Sequence, residues 1–291
     1  MKVLVTGGAG FVGTNLVKKL LKDGCEVVSV DNYSTGKREN QQDGCVYHDI
    51  DISKTPLIHM SWMKPDIIYH IAARARIQPS IDNPHRTFES NVDGTENVLE
   101  YARSESIPVV YAGSSSVHGD VYANPYTFSK YQGEELCKLY TKVYDLPTAI
   151  CRFYNVYGEY QLTDGDYCCV LGIFERQFSN GEPLTITGDG EQRRDFTYVG
   201  DIVDGLVKCG NSLYMAEIQG EEFELGNGNN RSINELAEAF GDYPTEYIDS
   251  RPGEMRETLN TDDKARDVLK WIPTGDIIKY IKENYVFCKT N

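Results

Sequence analysis

The chain has 291 residues, a hydrophobic fraction of 40% and a formal net charge of −15. That allows a sizeable core and excludes the clustered basic surface that duplex nucleic acid needs. No run of about 18 apolar residues marks a membrane span, and the eight cysteines fall in no C-x-x-C or zinc spacing, so neither a membrane nor a metal is expected.

"KVLVTG" (2–7) is a short apolar run ending in glycine and predicts a buried parallel strand. Its start at Lys2 leaves no room for a signal peptide, and the cysteines are expected as reduced thiols in a cytoplasmic protein. Residues 11–24 carry a helical apolar period closed by Gly24. Strands are expected at 26–31, 44–49, 65–73, 107–115 and 148–155, with helices at 84–104, 126–144 and 170–181. This alternation predicts an α/β fold, a Rossmann-type doubly wound parallel sheet whose strand ends share one ligand-binding edge. After Asn155 the elements shorten. The expected division is an NAD-binding domain of 1–155 plus 198–225 and a smaller interleaved C-terminal substrate domain of 156–197 plus 226–291.

"VTGGAGFVGTN" places Gly7, Gly10 and Gly13 between the first strand and the first helix, and Asp31 ends the second strand. Glycines there allow a tight turn and close backbone approach to a pyrophosphate at a helix N-terminus. Asp31 would accept hydrogen bonds from a ribose and repel a 2′-phosphate, which favours NAD over NADP. Lys37 and Arg38 pull the other way if they reach a phosphate, or they are solvated loop charges.

"GSSSVHGDVYANPYTFSK" (113–130) holds Ser114 at a strand end, then Tyr126 and Lys130 at i and i+4 on one helix face. A phenol of ordinary pKa about 10 is a poor base at neutral pH. A nearby ammonium and a nicotinamide cation would favour phenolate. Such a base can take an alcohol proton as hydride leaves the carbon, with Ser114 holding the same oxygen. Y-x-x-x-K alone also occurs as a surface pair.

With "RFYNVYG" (152–158), "HIAA" (70–73), "NVDGTENVLE" (91–100), "GDGEQRRDFTYVGDIVDG" (188–205) and "RPGEMRETLNTDDKA" (251–265), the whole chain resembles the extended short-chain dehydrogenase/reductases. Within them it is similar to the NAD-dependent nucleotide-sugar epimerases and dehydratases of UDP-glucose 4-epimerase type. The resemblance implies catalysis by Ser114, Tyr126 and Lys130, with Tyr126 and Lys130 also contacting the cofactor and Ser114 the substrate. It implies cofactor contacts from Phe11 and Val12 in the glycine loop, from Asn32, Ser34, Thr35 and Gly36 after Asp31, and from Asp49 and Ile50 at the adenine end. Ala72, Ala73, Arg74 and Asn91 would line the cofactor cleft, with Phe153 near the nicotinamide. Asn155, Val170, Thr187 and Glu254 would meet the substrate. Arg194 and Arg251 would grip its diphosphate, since bidentate phosphate binding suits arginine better than the alternative of a solvated charge. A small Thr258 would leave room for an N-acetyl group.

The implied reaction is C4 epimerisation of a UDP-hexose or UDP-N-acetylhexosamine through a 4-keto sugar, in a homodimer paired through helices 84–104 and 126–144. A uronate epimerase or decarboxylase, a 4-keto reductase and a non-catalytic NAD-binding sensor stay open as alternatives. A 4,6-dehydratase is disfavoured, because "SSSVHG" lacks an Asp-Glu acid/base pair. Two features depart from the family. The segment between Ser114 and Tyr126 is about half the usual length, and His118 replaces the tyrosine of "V-Y-G".

Overall fold

The computed structural model describes residues 1–60, 63–250 and 255–286. Apolar runs of four to six residues, β-branched and bounded by turns, become strands, and 3.6-period segments between them become crossovers. The first half runs β1 (Lys2–Thr6), α1 (Phe11–Lys22), β2 (Glu26–Asp31), β3 (Cys45–Asp49), β4 (Ile67–His70), α2 (Ile77–Asp82), α3 (Pro84–Phe88), α4 (Gly94–Glu105), β5 (Val109–Ser114), α5 (Pro125–Tyr144) and β6 (Thr148–Phe153). The second half holds β7 (Val156–Tyr157), α6 (Val170–Asn180), β8 (Leu184–Thr187), β9 (Arg193–Asp195), β10 (Thr197–Tyr198), α7 (Val199–Tyr214), β11 (Glu221–Leu225), β12 (Asn230–Ser232), α8 (Ile233–Glu238), β13 (Thr245–Ile248), α9 (Lys264–Leu269) and α10 (Ile277–Ile281).

Seven strands form one parallel sheet in the order β11-β6-β5-β4-β1-β2-β3. The expected α/β Rossmann-type sheet is therefore present. The order reverses between β1 and β4, so the chain leaves those strands in opposite directions and opens a crevice at their C-terminal ends. Strand side chains alternate between two cores. Val3, Val5 and Tyr69 pack with Leu16 and Leu20 of α1 and Ile202 and Leu206 of α7. Leu4, Ile68 and Val109 pack on the other face with Val98, Leu99 and Ala102 of α4 and Cys137 of α5. Each such buried Val, Leu or Ile stabilises the fold by about 1.5–3 kcal/mol. A third core gathers Phe174, Phe178, Leu184, Ile186, Leu236, Phe240 and Ile281 around β8 and α6. Ala265, Leu269 and Trp271, expected in the second domain, pack into the first core instead, where the Trp271 indole donates to the Asp201 carbonyl at 2.8 Å.

Two elements differ from expectation. The helix at 84–104 is interrupted by a π-turn at Glu89–Asp93; such widened turns often accompany functional sites. The seventh strand, β11, has the sequence "EEFEL", in which three glutamates hide the strand signal because Glu is a poor strand former. Glu222 and Glu224 are tolerated there because Arg152, on neighbouring β6, ion-pairs both, at 2.7 and 2.8 Å.

Candidate active site

The glycine loop closes as a tight turn in which the Gly10 amide donates to the Gly7 carbonyl at 3.1 Å. Gly7 has φ +76°, and a Cβ on Gly13 would fall 2.0 Å from the Gly7 oxygen. Gly10 caps α1 without a side chain, so the helix N-terminus stays open to an anion. Asp31, 7% exposed, accepts from the Ala9 amide at 2.9 Å and the Tyr33 amide at 2.8 Å. Burial pushes its carboxyl pKa up, and these two bonds oppose the rise. The second strand's end thus fixes the loop and presents a carboxylate to the same crevice. A cleft of about 500 Å³ runs from this turn to the third core, and its bare helix terminus and buried carboxylate fit a dinucleotide.

Opposite the loop, β5 delivers Ser114 and α5 delivers Tyr126 and Lys130. Asn124 caps α5 by accepting from the Thr127 amide at 2.9 Å, and Pro125 presets its first turn. Between them the chain needs only a 3-10 turn at Ser115–His118 and a turn in which Asp120 accepts from the Tyr122 amide at 2.9 Å. The shortened segment therefore costs no registry: the Tyr126 hydroxyl donates to Ser114 Oγ at 3.1 Å, and Ser114 Oγ lies 3.0 Å from Ser116 Oγ.

Lys130 is 4% exposed, donates to the Ala112 carbonyl at 2.5 Å and lies 4.1 Å from the Tyr111 ring centroid. Burial lowers its pKa to about 8, with Glu134 opposing. Burial raises the Tyr126 phenol, against the Ser114 hydrogen bond and the cation of Arg76. The Lys130 ammonium, on the same face of α5, turns to the Ala112 carbonyl.

Most residues singled out from sequence line this cleft: Gly7, Gly10, Phe11, Val12 and Gly13; Asp31, Asn32, Ser34, Thr35 and Ile50; Ala72, Ala73, Ser114, Tyr126, Lys130 and Phe153; and Asn155, Val170, Thr187, Arg194 and Thr258. Four do not. Asp49 lies across the ladder from Asp31, and its carboxylate turns to Arg38 at 2.5 Å, away from a like charge. That contact also occupies Arg38, which stacks 4.1 Å from the Tyr33 ring centroid. Gly36 packs behind the loop, where a Cβ would meet the Ala9 carbonyl carbon at 2.9 Å. Asn91, 1% exposed, sits in the π-turn and braces the wall from behind. It accepts from the Arg74 amide at 2.7 Å and donates to the Arg74 carbonyl at 3.1 Å and Ser129 Oγ at 2.9 Å. Arg74 sends its guanidinium to the Tyr167 hydroxyl at 3.1 Å. Arg251 and Glu254 lie outside the described residues. Asp51, Arg76, Ser116 and Gln192 line the cleft without having been singled out; none stands in a spacing pattern that marks it.

Asn155 has φ +21°, and its amide donates to the Asp195 carbonyl at 3.0 Å and to Thr258 Oγ1 at 3.1 Å. Thr258 is thereby pinned beside the cleft. His118 meets Glu224 at 3.0 Å; the Glu224 hydrogen bond raises the imidazole pKa above 6.5, with burial opposing. A raised histidine pKa means that this pair contributes fully below pH 6.5 and is lost as pH climbs past the folded value. In thermal melts from pH 5 to 9, His118→Gln should therefore be destabilised relative to the parent at acid pH, with the gap closing at alkaline pH. A gap independent of pH would sink this assignment.

No helix among the described residues is long and apolar enough to cross a membrane, and no group of three or more potential metal ligands occurs among them. The sequence model of the NAD dependent epimerase/dehydratase family matches residues 3–226. A UDP-glucose 4-epimerase of Mycolicibacterium smegmatis is 32% identical over 315 residues, spanning 99% of this chain and 98% of that relative. A UDP-glucuronic acid decarboxylase of Xenopus tropicalis is 32% identical over 254 residues, spanning 81% of this chain and 58% of that relative. Among solved structures, the UDP-glucose 4-epimerase of Thermotoga maritima with UDP-glucose matches with a TM-score of 0.90 at 29% identity, covering 100% of this chain and 99% of the other. With the glycine loop, the acidic strand end and the Ser-Tyr-Lys set in one crevice, this chain belongs to the NAD-dependent epimerase/dehydratase family of nucleotide-sugar enzymes.

Proposed function

We propose that this protein inverts C4 of a UDP-linked hexose or N-acetylhexosamine. The observation that carries the reading is the 3.1 Å hydrogen bond from the Tyr126 hydroxyl to Ser114 Oγ inside the cleft that begins at the glycine loop. Bound NAD supplies a reversible hydride acceptor and donor at C4. The open N-terminus of α1 would hold its pyrophosphate, Asp31 its adenosine ribose and Phe153 its nicotinamide end. Tyr126 removes the proton of the C4 hydroxyl and later returns it to the C4 oxygen once the 4-keto sugar has turned its other face to the hydride donor, with Ser114 orienting that oxygen in both states. Arg194 grips the diphosphate, which lets the sugar turn over while the nucleotide stays anchored; Arg251, expected beside it, lies outside the described residues. Thr258, held by Asn155, leaves width at the sugar end for an N-acetyl group. The elements around the third core close over the substrate. Leu139 and Val143 on α5, 49% and 57% exposed, give a homodimer an apolar face to bury.

The test is direct. Purified protein incubated with UDP-glucose, UDP-N-acetylglucosamine and UDP-glucuronate should give C4 epimers of unchanged mass, followed by proton NMR. Loss of the C6 carbon would move the assignment to decarboxylation, the reading favoured by the decarboxylase relative. A 6-deoxy-4-keto product would move it to dehydration.

A further inference from the structure

We infer that His70 is a positioning residue: through two threonine hydroxyls it holds the wall of the cofactor crevice and the π-turn behind Tyr126 in one register. The inference rests on the C4 reading above. His70 ends β4 and pairs across the ladder with Thr6, the last residue of β1. These are the two strands whose chains part to open the crevice, so the imidazole lies beneath its floor. The ring is 1% exposed and sits behind the residues that line the cleft. Its Nδ1 lies 2.7 Å from Thr6 Oγ1 and its Nε2 lies 2.9 Å from Thr95 Oγ1.

The groups beyond the two threonines settle where each proton sits. Thr95 Oγ1 donates at 2.6 Å to the Asn91 carbonyl, which can only accept. A threonine hydroxyl has one proton, so toward His70 Thr95 must accept, and Nε2 carries the imidazole proton. Nδ1 is then an acceptor and takes the proton of Thr6, whose oxygen accepts from the Ala72 amide at 3.2 Å. Only a neutral Nε2–H ring gives each of these donors an acceptor. Burial, with the Lys130 cation adding to it, pushes the His70 pKa down to about 3, which keeps the ring neutral.

Both ends of this path reach the site. Ala72 lines the cleft, and its backbone lies so close to the glycine turn that a Cβ on Gly7 would fall 2.8 Å from its Cα. At the other end the Asn91 amide donates to Ser129 Oγ at 2.9 Å, and Ser129 donates to the Tyr126 carbonyl at 2.8 Å. The polar side chains along the path are all buried, so bulk water does not replace a lost bond. Proton and hydride transfer at one carbon require the base and the cofactor wall to keep a fixed separation. A shift of about 1 Å between them can cost about a hundredfold in rate.

The experiment compares the parent with His70→Leu, His70→Gln and Thr95→Val. Nitrogen NMR of histidine-labelled parent, assigned by the signal lost in His70→Gln, should show the neutral Nε2–H tautomer at neutral pH. His70→Leu should weaken NAD at least about fivefold and slow reduction of bound NAD by the best UDP-sugar at least about tenfold, with KM for that sugar within about twofold. Thr95→Val cuts only the arm to Tyr126, so it should slow that reduction by at least about fivefold and leave NAD affinity within about twofold of the parent. His70→Gln, which keeps one donor and one acceptor, should recover most of both losses. An Nδ1–H tautomer overturns the inference. So does a His70→Leu protein that melts earlier while its folded fraction binds and reduces NAD as the parent does, the result of a merely structural role. If His70→Leu does not fold, Thr95→Val decides, and a parental rate overturns the inference. Product NMR separates this from the reading beneath it. The expected losses without a C4 epimer remove C4 inversion and leave the role of His70. A C4 epimer made at the parental rate by His70→Leu and Thr95→Val does the reverse. If no UDP-sugar reduces the NAD of the parent, the C4 reading falls and NAD affinity alone decides on His70.

Discussion

Replacing Tyr126 with Phe should lower turnover of the best UDP-sugar by about two to four orders of magnitude. NAD affinity should be almost unchanged, measured by quenching of protein fluorescence on titration. The substitution deletes one hydroxyl and keeps the ring between α5 and the cleft. What goes is the only bond joining that hydroxyl to Ser114, at 3.1 Å. What stays is the glycine loop, Asp31 and the buried Lys130, none of which depends on the phenol oxygen. The phenol pKa is raised by burial, so the free protein holds it protonated at neutral pH. Proton removal by this group then depends on the charges gathered around it when the cleft is filled. The rate in the parent should accordingly climb with pH, and the residual rate of the Phe variant should be flat. Full activity in Tyr126→Phe would remove the phenol from the mechanism. Unaltered NAD binding and an unaltered biological readout in a protein with no turnover at all would point to a sensor.

Arg152→Met should cost about 3–5 kcal/mol of stability, seen as a lower urea midpoint with an unchanged slope. Arg152 reaches Glu134 at 2.7 Å, Glu222 at 2.7 Å and Glu224 at 2.8 Å. Glu134 is 1% exposed. Removing the guanidinium strands carboxylates that burial already disfavours. The pH dependence should also reverse. In the parent, Glu222 and Glu224 are held below their ordinary 4.5 against burial, by Lys138 and Arg152 for the one and by His118 and Arg152 for the other. Their contribution is present above pH 4.5 and lost as pH falls through the lowered folded values. In Arg152→Met the stranded carboxylates should titrate above 4.5, so the variant regains stability as pH drops toward 5. A variant as stable as the parent at pH 7 would show that the cluster is not needed to hold β11 on the sheet. Glu134 lies one turn beyond Lys130 on α5, so loss of the cluster should also loosen the helix that carries Tyr126.

What the sequence by itself determined is local. Glycines at 7, 10 and 13 describe a turn because only a missing Cβ allows the Gly13 backbone to approach the Gly7 oxygen. Apolar runs ending in Gly7, Asp31 and Ser114 name parallel strands, and their common polarity brings those ends to one edge. Tyr126 and Lys130 share a helix face because they stand at i and i+4. These features depend on neighbours a few residues away, which a linear reading contains. Only the tertiary structure decided the direction and partner of individual side chains. Asp49 and Asn91 sit where the sequence puts their backbones, but Asp49 turns to Arg38 and Asn91 braces Arg74 from behind. The strand "EEFEL" becomes legible once Arg152 is seen beside it. His118 finds Glu224 across more than a hundred residues. Charge pairing acts through space over a few ångströms, and sequence order carries no record of which distant segments the fold brings that close.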